Sequence, residues 1–491
     1  MAPGISGFSL YLPPYRVQLE AWCAWNDQPW EKFRSVVGRS FRMRAPAQSV
    51  YTFAANAVWR LIRDYDIDPS QVGLLALGTE SSTDNSAGAV IVKGMVNEAL
   101  AAAGLPQLAR DCEVPEFKQA CLGGVYGVKA ALRYLATDGR GRQAIVVCAD
   151  IAEYARGGSG EPTQGAGAVA MLLESDARLL EVDLAAAGSD SDYRVADFRK
   201  PFARFRNQPA RDDGQVQDLP MFNGHYSTSC YIDATHHAMT AMLEKRPGRS
   251  LDYFHDIDAV FMHRPYHQMP TTGWVMAFLF ALAHDDDGHD QLRALAADAG
   301  VDADLLLEEL LAPSPFHGNG ADLAENTGDV FPLARKVRNQ LRKTPLWDTL
   351  VEDKLRLGSE AMRDLGNLYT AALPAWLAAG LQQALTDRIE LTDQNWLALG
   401  YGSGDAAEAL PLRVVAGWQE AARRINFESA LVGAIDLNEA QYIDVHEGRR
   451  IENIAPPARD EFVIDHVGTS NGPDFFDEGV EYYRYVVGSA E

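Results

Sequence analysis

"FKQACLGGVYGVKAALRYL" (residues 117–135) decides the fold, because it sets one cysteine where a glycine-rich turn gives way to a long amphipathic run. The run reads as a buried helix, with Cys121 at its first turn. Free cysteine is among the most buried residue types, so Cys121 can be read as a small core residue. It can also be read as a nucleophile, since a helix N-terminus lowers the pKa of a thiol. Partners elsewhere in the chain must decide between the two.

Outward from this stretch, short apolar runs end in glycine or in polar residues. They are "VGLLALGTE" (72–80), "AIVVCADIAEY" (144–154), "GAVAMLLES" (167–175), "AVFMHRP" (259–265) and "NWLALGYGSGD" (395–405), and they predict buried strands. Helical patterns lie between them at 49–65, 87–104, after Cys121, at 271–284 and over 360–385. Strands alternating with helices imply an α/β architecture, in which sites sit beyond the carboxyl ends of the strands. Glu80, Asp150, His263 and the "GYGSG" turn (400–404) fall there. Weak internal similarity divides the chain into two halves, 1–190 and 191–491. Residues 284–345 are acidic and punctuated by Pro and Gly, and predict a mostly helical surface insertion. The tail predicts a returning strand and a short terminal one.

Among 491 residues, 44 are basic and 68 acidic, a net charge of −24. That excludes general nucleic-acid or membrane binding, which needs basic surface. The longest apolar stretches, "WVMAFLFALA" and "YTAALPAWLAAGL", are too short to span a bilayer. The first residues lack the charged and apolar regions of a secretory signal. Five cysteines without a CxxC pair suit a reducing cytoplasm. No metal-ligand spacing is present, and "THHAM" (235–239) reads as ordinary helix surface.

Several residues could carry chemistry. Glu80, directly after a buried strand, is either a general base raised by desolvation or a helix cap. His263 likewise follows an apolar strand, and a lone histidine there is often a satisfied core residue. Asn367 in "LGNLYT" offers an amide to a carbonyl oxygen, or a cap. "DFRKPFARFRNQPAR" (197–211) gathers Arg199, Lys200, Arg204, Arg206 and Arg211 into a candidate phosphate clamp.

"GTESSTD", "QACLGG", "CADIAEYARG", "PTQGAGAVA", "NGHYSTSCYIDA", "HRPY", "LGNLYT" and "GYGSG" occur in this order. As an ordered set they resemble the 3-hydroxy-3-methylglutaryl-CoA synthases of the thiolase superfamily, over almost the whole chain. The resemblance implies an α/β, thiolase-like five-layer αβαβα fold built from two similar halves, usually a homodimer, with a tunnel for a pantetheine arm. It implies that Cys121 accepts the acyl group, Glu80 is the base and His263 orients the second thioester. Matching substrate-site positions are Asp84, Asp150, Tyr154, Thr163, Ser227, Asn367, Tyr401 and Ser403. The implied reaction condenses acetyl-CoA with acetoacetyl-CoA in the cytoplasm, with coenzyme A thioesters as substrates and no metal or resident cofactor.

Three positions depart from the family pattern. Leu122 stands where tyrosine is common, Gln268 where a lysine meets CoA, and Thr272 near a second lysine. The basic stretch 199–211 could compensate, or the donor could be an acyl carrier protein, as in polyketide β-branching. A ketosynthase III-like condensing enzyme would share Cys121, a histidine and Asn367, but not the Glu80 base. A catalytically idle scaffold is the non-enzymatic alternative.

Overall fold

The computed structural model describes residues 2–82, 86–194, 197, 219–221, 223–314, 316, 329–449, 451, 454, 455 and 457–488. The apolar runs form strands, and their continuous hydrophobicity has a simple cause: helices cover both of their faces. The N-terminal half contributes β1 (Gly4–Tyr11), α1 (Val50–Asp64), β2 (Val72–Gly78), α2 (Gly88–Ala102), β3 (Glu116–Phe117), α3 (Gly123–Ala136), β4 (Gln143–Ala152) and β5 (Gly165–Glu174). Two short strands follow, β6 (Leu180–Val182) and β7 (Gly188–Ser191). The C-terminal half adds α4 (His225–Leu243), β8 (Ala259–Met262), α5 (Met269–His284), α6 (Ala303–Leu311), α7 (Pro332–Leu341), α8 (Ala372–Asp387), β9 (Asn395–Gly402) and β10 (Ala406–Val414).

One ten-stranded sheet runs β8-β9-β10-β6-β1-β5-β4-β2-β3, with β7 paired to β10. β6 is the seam, antiparallel to β1 on one side and to β10 on the other. Helix α1 packs on β1, β4 and β5, with α2 against it. Helix α3 packs on β2 and β4, and α8 reaches β1, β5, β8 and β9. Helix α4 covers β7, β9 and β10, and α5 packs on α4. The sheet's two halves, joined at β6, hold α3 and α8 between them and carry α1 with α2, and α4 with α5, outside, so helix and sheet layers alternate in the thiolase-like arrangement.

The described part of the 284–345 segment is helical, at His289–Asp298, α6 and α7. The predicted 360–385 helix begins only at Ala372. Two left-handed residues, Gly366 (φ 75) and Tyr369 (φ 47), break its first half into a turn. A Cβ at Gly366 would stand 1.8 Å from the Gln164 carbonyl oxygen, so this turn is pressed against the other half of the molecule. The tail forms a separate hairpin, Glu461–Val467 with Glu481–Val486, rather than joining the main sheet. It is fixed to α1 through Asn56, which exchanges two hydrogen bonds with the Phe462 backbone at 2.8 and 3.3 Å. "THHAM" also differs from expectation: His236 stacks on Phe280 at 4.0 Å and is packed rather than superficial.

The end of β2 and the start of α3 meet backbone to backbone. A Cβ at Gly78 would lie 2.5 Å from the Gly124 nitrogen, and one at Gly124 would lie 2.2 Å from the Cys148 Sγ. Neither obstacle is a movable side-chain tip at Gly78, so the substitution must displace α3. Gly78→Ala is expected to cost about 1–3 kcal/mol in denaturant unfolding and to lower turnover by moving the Cys121 turn. Unchanged stability and activity would contradict this packing.

Candidate active site

Three chain crossings bring chemistry to one place. Just past β2 the chain turns, and its polar groups converge on the carboxylate of Asp150 at the end of β4. The Oδ1 of Asp150 accepts from the Thr79 hydroxyl at 3.0 Å, the Glu80 N–H at 2.8 Å and the Ser81 hydroxyl at 2.7 Å. Its Oδ2 accepts from the Thr370 N–H at 3.0 Å and from the Thr370 hydroxyl. Asp150 is fully buried, and burial raises its pKa against these hydrogen bonds, which hold it down. It is not among the residues that line the cavity described below. Its oxygens are filled by the loop that carries Glu80 and by the turn from the other half, which makes it a positioning residue.

Cys121 lies just before α3, not within its first turn; Leu122 is the capping position. Ala120 before it is left-handed at φ 43, a conformation that non-glycine residues seldom adopt. The half-buried sulfur is packed among Ala152, Tyr154 and Tyr369. Its Sγ lies 3.4 Å from Glu80 Oε2. A thiol and a carboxylate from residues 41 apart thus touch.

His263 follows β8, where its N–H donates to the Leu399 carbonyl at 2.8 Å and its carbonyl accepts from the Tyr231 hydroxyl at 3.2 Å. Its imidazole is buried, and Nδ1 has no hydrogen-bond partner among the described residues. Burial lowers its pKa to about 3, so the ring is neutral at physiological pH. A neutral imidazole can donate a hydrogen bond to a carbonyl oxygen without carrying charge into the site.

Cys121 and His263 line one cavity of about 510 Å³. Tyr154, Thr163 and Ser227 line it too, as do Asn367, Tyr401 and Ser403. The Asn367 amide is oriented by the Tyr369 N–H, which donates to Oδ1 at 2.9 Å, and its Nδ2 points to the Tyr154 hydroxyl at 3.5 Å. Tyr401 presents its ring to the cavity while its hydroxyl reaches Asp197 at 2.9 Å and Asp405 at 2.8 Å. The Thr163 hydroxyl is turned to the Gly160 carbonyl at 2.7 Å. Glu80 joins the group through its contact with Cys121. Asp84, Arg199, Lys200, Arg204, Arg206 and Arg211 lie outside the described residues.

Sequence reasoning missed the cavity's basic wall. Arg335, Arg338 and Arg342 line it beside Gln268 and Thr272. "ARKVRNQLRK" (334–343), with arginines three and four residues apart, was the available signal, hidden inside a segment that reads as acidic insertion. It also missed Tyr369 and Thr370, whose roles depend on the turn at Gly366.

Residues 2–178 match the family model for the N-terminal part of hydroxymethylglutaryl-coenzyme A synthase. The hydroxymethylglutaryl-CoA synthase of Enterococcus faecalis is 28% identical over 444 residues, covering 90% of this chain and 91% of the relative. Over most of its length the chain is similar to the hydroxymethylglutaryl-CoA synthases. Among solved structures, MvaS in complex with 3-hydroxy-3-methylglutaryl coenzyme A superposes with a TM-score of 0.76 at 24% identity, with 99% of each chain covered. The curacin-pathway HMG synthase in complex with apo donor-ACP gives 0.68 at 17% identity, covering 99% of this chain and 100% of that one. Both likenesses are of fold, the five-layer architecture derived above.

Two outcomes follow from this geometry. Asp150→Asn places donors against the Glu80 N–H and the hydroxyls around it. It is expected to cost about 3–5 kcal/mol in unfolding free energy and to reduce turnover; wild-type stability would contradict the positioning role. For His263, the native pKa of about 3 lies below the free value of 6.5. The unfolded chain therefore binds a proton that the native state refuses, and this contribution to stability is full above pH 6.5 and lost as pH falls toward 3. Unfolding free energies from denaturant titrations on acidification below pH 6.5 should fall less steeply for His263→Gln, by up to about 1.4 kcal/mol per pH unit. Parallel slopes would show a histidine already charged in the native protein.

Proposed function

We propose that the protein is an acyltransferase that condenses acetyl-CoA with acetoacetyl-CoA to give 3-hydroxy-3-methylglutaryl-CoA and CoA. The observation that carries this reading is the 3.4 Å contact of Cys121 Sγ with Glu80 in the cavity that His263 also lines. The Cys121 thiolate adds to the acetyl thioester and CoA leaves as the thiol, giving acetyl-Cys121. The Glu80 carboxylate, beside that sulfur, takes a proton from the acetyl methyl group. The carbanion forms a carbon–carbon bond with C3 of acetoacetyl-CoA, whose ketone oxygen takes up a proton as the tertiary alcohol. Water then cleaves the thioester at Cys121, restoring the thiol and releasing the acid. Neutral His263 donates to a substrate oxygen as charge develops there.

The same chemistry on acyl-carrier-protein substrates is the second reading, supported by the fold shared with a synthase solved with donor-ACP. The two readings share every reacting residue. A ketosynthase III-like reaction is disfavoured by the carboxylate at the sulfur, which a decarboxylative condensation does not need. A homodimer and a cytoplasmic location belong to the proposal as well; the former is supported by the family, the latter by five free cysteines.

The deciding experiment separates half-reactions. Glu80→Ala should still take an acetyl group from the donor yet form 3-hydroxy-3-methylglutaryl product about 10²–10⁴-fold more slowly. Rates with acetoacetyl-CoA and with the acetoacetyl carrier protein then identify the acceptor. Normal condensation by the variant would remove Glu80 from the role of base.

A further inference from the structure

The exposed rim of the cavity carries a charge arrangement that the reaction itself does not use. Helix α7 buries Ala334, Val337 and Leu341 and sends Arg335 and Arg338 off another side, with Arg342 capping its C-terminus. All three arginines line the catalytic cavity. Arg335 is neutralised, its Nε 2.7 Å from Asp329. Arg338 has neutral partners, the Thr272 hydroxyl at 2.9 Å and the Asn339 amide oxygen at 3.1 Å. Arg342 binds the Gln268 amide oxygen and lies over the Trp347 ring at 5.2 Å.

Among the described residues, neither Arg338 nor Arg342 has a carboxylate within ion-pair distance. In a chain of net charge −24 this is conspicuous, because carboxylates outnumber cations. Burial and repulsion from Arg342 both lower the pKa of Arg338, so the pair is electrostatically unfavourable as it stands. A phosphate anion between the two guanidiniums would relieve that repulsion and offer bidentate geometry. The pair is also rigidly held. Gln268 and Thr272, the N-cap and first turn of α5, fix the two arginines from one side. From the other, Glu309 on α6 accepts from the α7 backbone N–H groups of Leu333 at 3.0 Å and Ala334 at 2.8 Å.

We propose that Arg338 and Arg342 form the phosphate site for the pantetheine arm of the acyl substrate. The insertion would then serve to present this site, with Glu309 as its positioning residue. The inference rests on the proposed thioester chemistry. The recognised group is a phosphate ester of pantetheine, carried by free coenzyme A or by a carrier protein.

The test compares acetyl-CoA, an acetylated carrier protein and S-acetylpantetheine, which lacks the phosphate, as donors to the wild type and to Arg338→Met/Arg342→Met. The double variant should raise KM about 10–100-fold for a phosphate-bearing donor. KM for S-acetylpantetheine and kcat for all donors should not change, which also shows that the variant is folded. Whichever phosphate-bearing donor loses affinity identifies the source. Equal losses with and without phosphate, or none, would overturn the site. If no donor acylates the wild type, the thioester reading fails separately. Calorimetry then decides the site: 4′-phosphopantetheine should bind the wild type at least about tenfold more tightly than pantetheine. The double variant should show no preference, and equal binding to the wild type would overturn the proposal.

Discussion

A single buried carboxylate joins the halves of this molecule where the chemistry sits. Asp150 accepts three hydrogen bonds from the end of the β2 loop and two from Thr370, more than two hundred residues away. Leaving water costs an isolated carboxylate several kcal/mol, and only a full complement of donors offsets that. The constraint therefore acts in both directions: the charge demands both loops, and both loops are fixed by the charge. Glu80 inherits its place from its own N–H, and Tyr369 and Asn367 inherit theirs from the neighbouring Thr370.

Around this joint the environment is dry, and dryness sets the character of the reacting groups. His263 is kept neutral by burial alone, whereas Tyr401 is held against Asp197 and Asp405. Cys121 instead remains half-buried and faces the cavity, with a carboxylate at its sulfur. The combination of an accessible thiol, an adjacent base and an uncharged donor suits acyl transfer followed by proton removal next to a carbonyl. The rim differs in kind: there the protein keeps a half-buried Arg338 beside an exposed Arg342, where a phosphate can meet them without full desolvation.

Much of this was legible in the sequence. Strands such as 143–152 announce themselves by unbroken hydrophobicity, and β2, β8 and β9 end where glycine and polar residues begin. Glu80 and His263 were singled out because each follows such an ending, Cys121 because it stands where a glycine-rich turn opens a helix, and their ordered motifs resemble one family. Asp150 was found, but its part in joining the two halves was not. From the sequence, a carboxylate at a strand end cannot be told apart as substrate contact or structural hub until its donors are known, and those come from the other half. The turn at Asn367 was read as helix because its apolar periodicity continues through Gly366, while the contact with Gln164 that forces φ positive is tertiary. The Arg338 and Arg342 wall was obscured by the acidic composition around it, since charge averaged over a segment hides the face on which a few cations stand.

The most direct measurement is the site of acylation. The protein is incubated with isotopically labelled acetyl donors, free and carrier-bound, then quenched in acid and digested, and the peptides are weighed. A labelled acetyl group on the peptide containing Cys121, absent in Cys121→Ser, is the expected result. A label on another residue, or none from either donor, would contradict the assignment of Cys121 as the nucleophile.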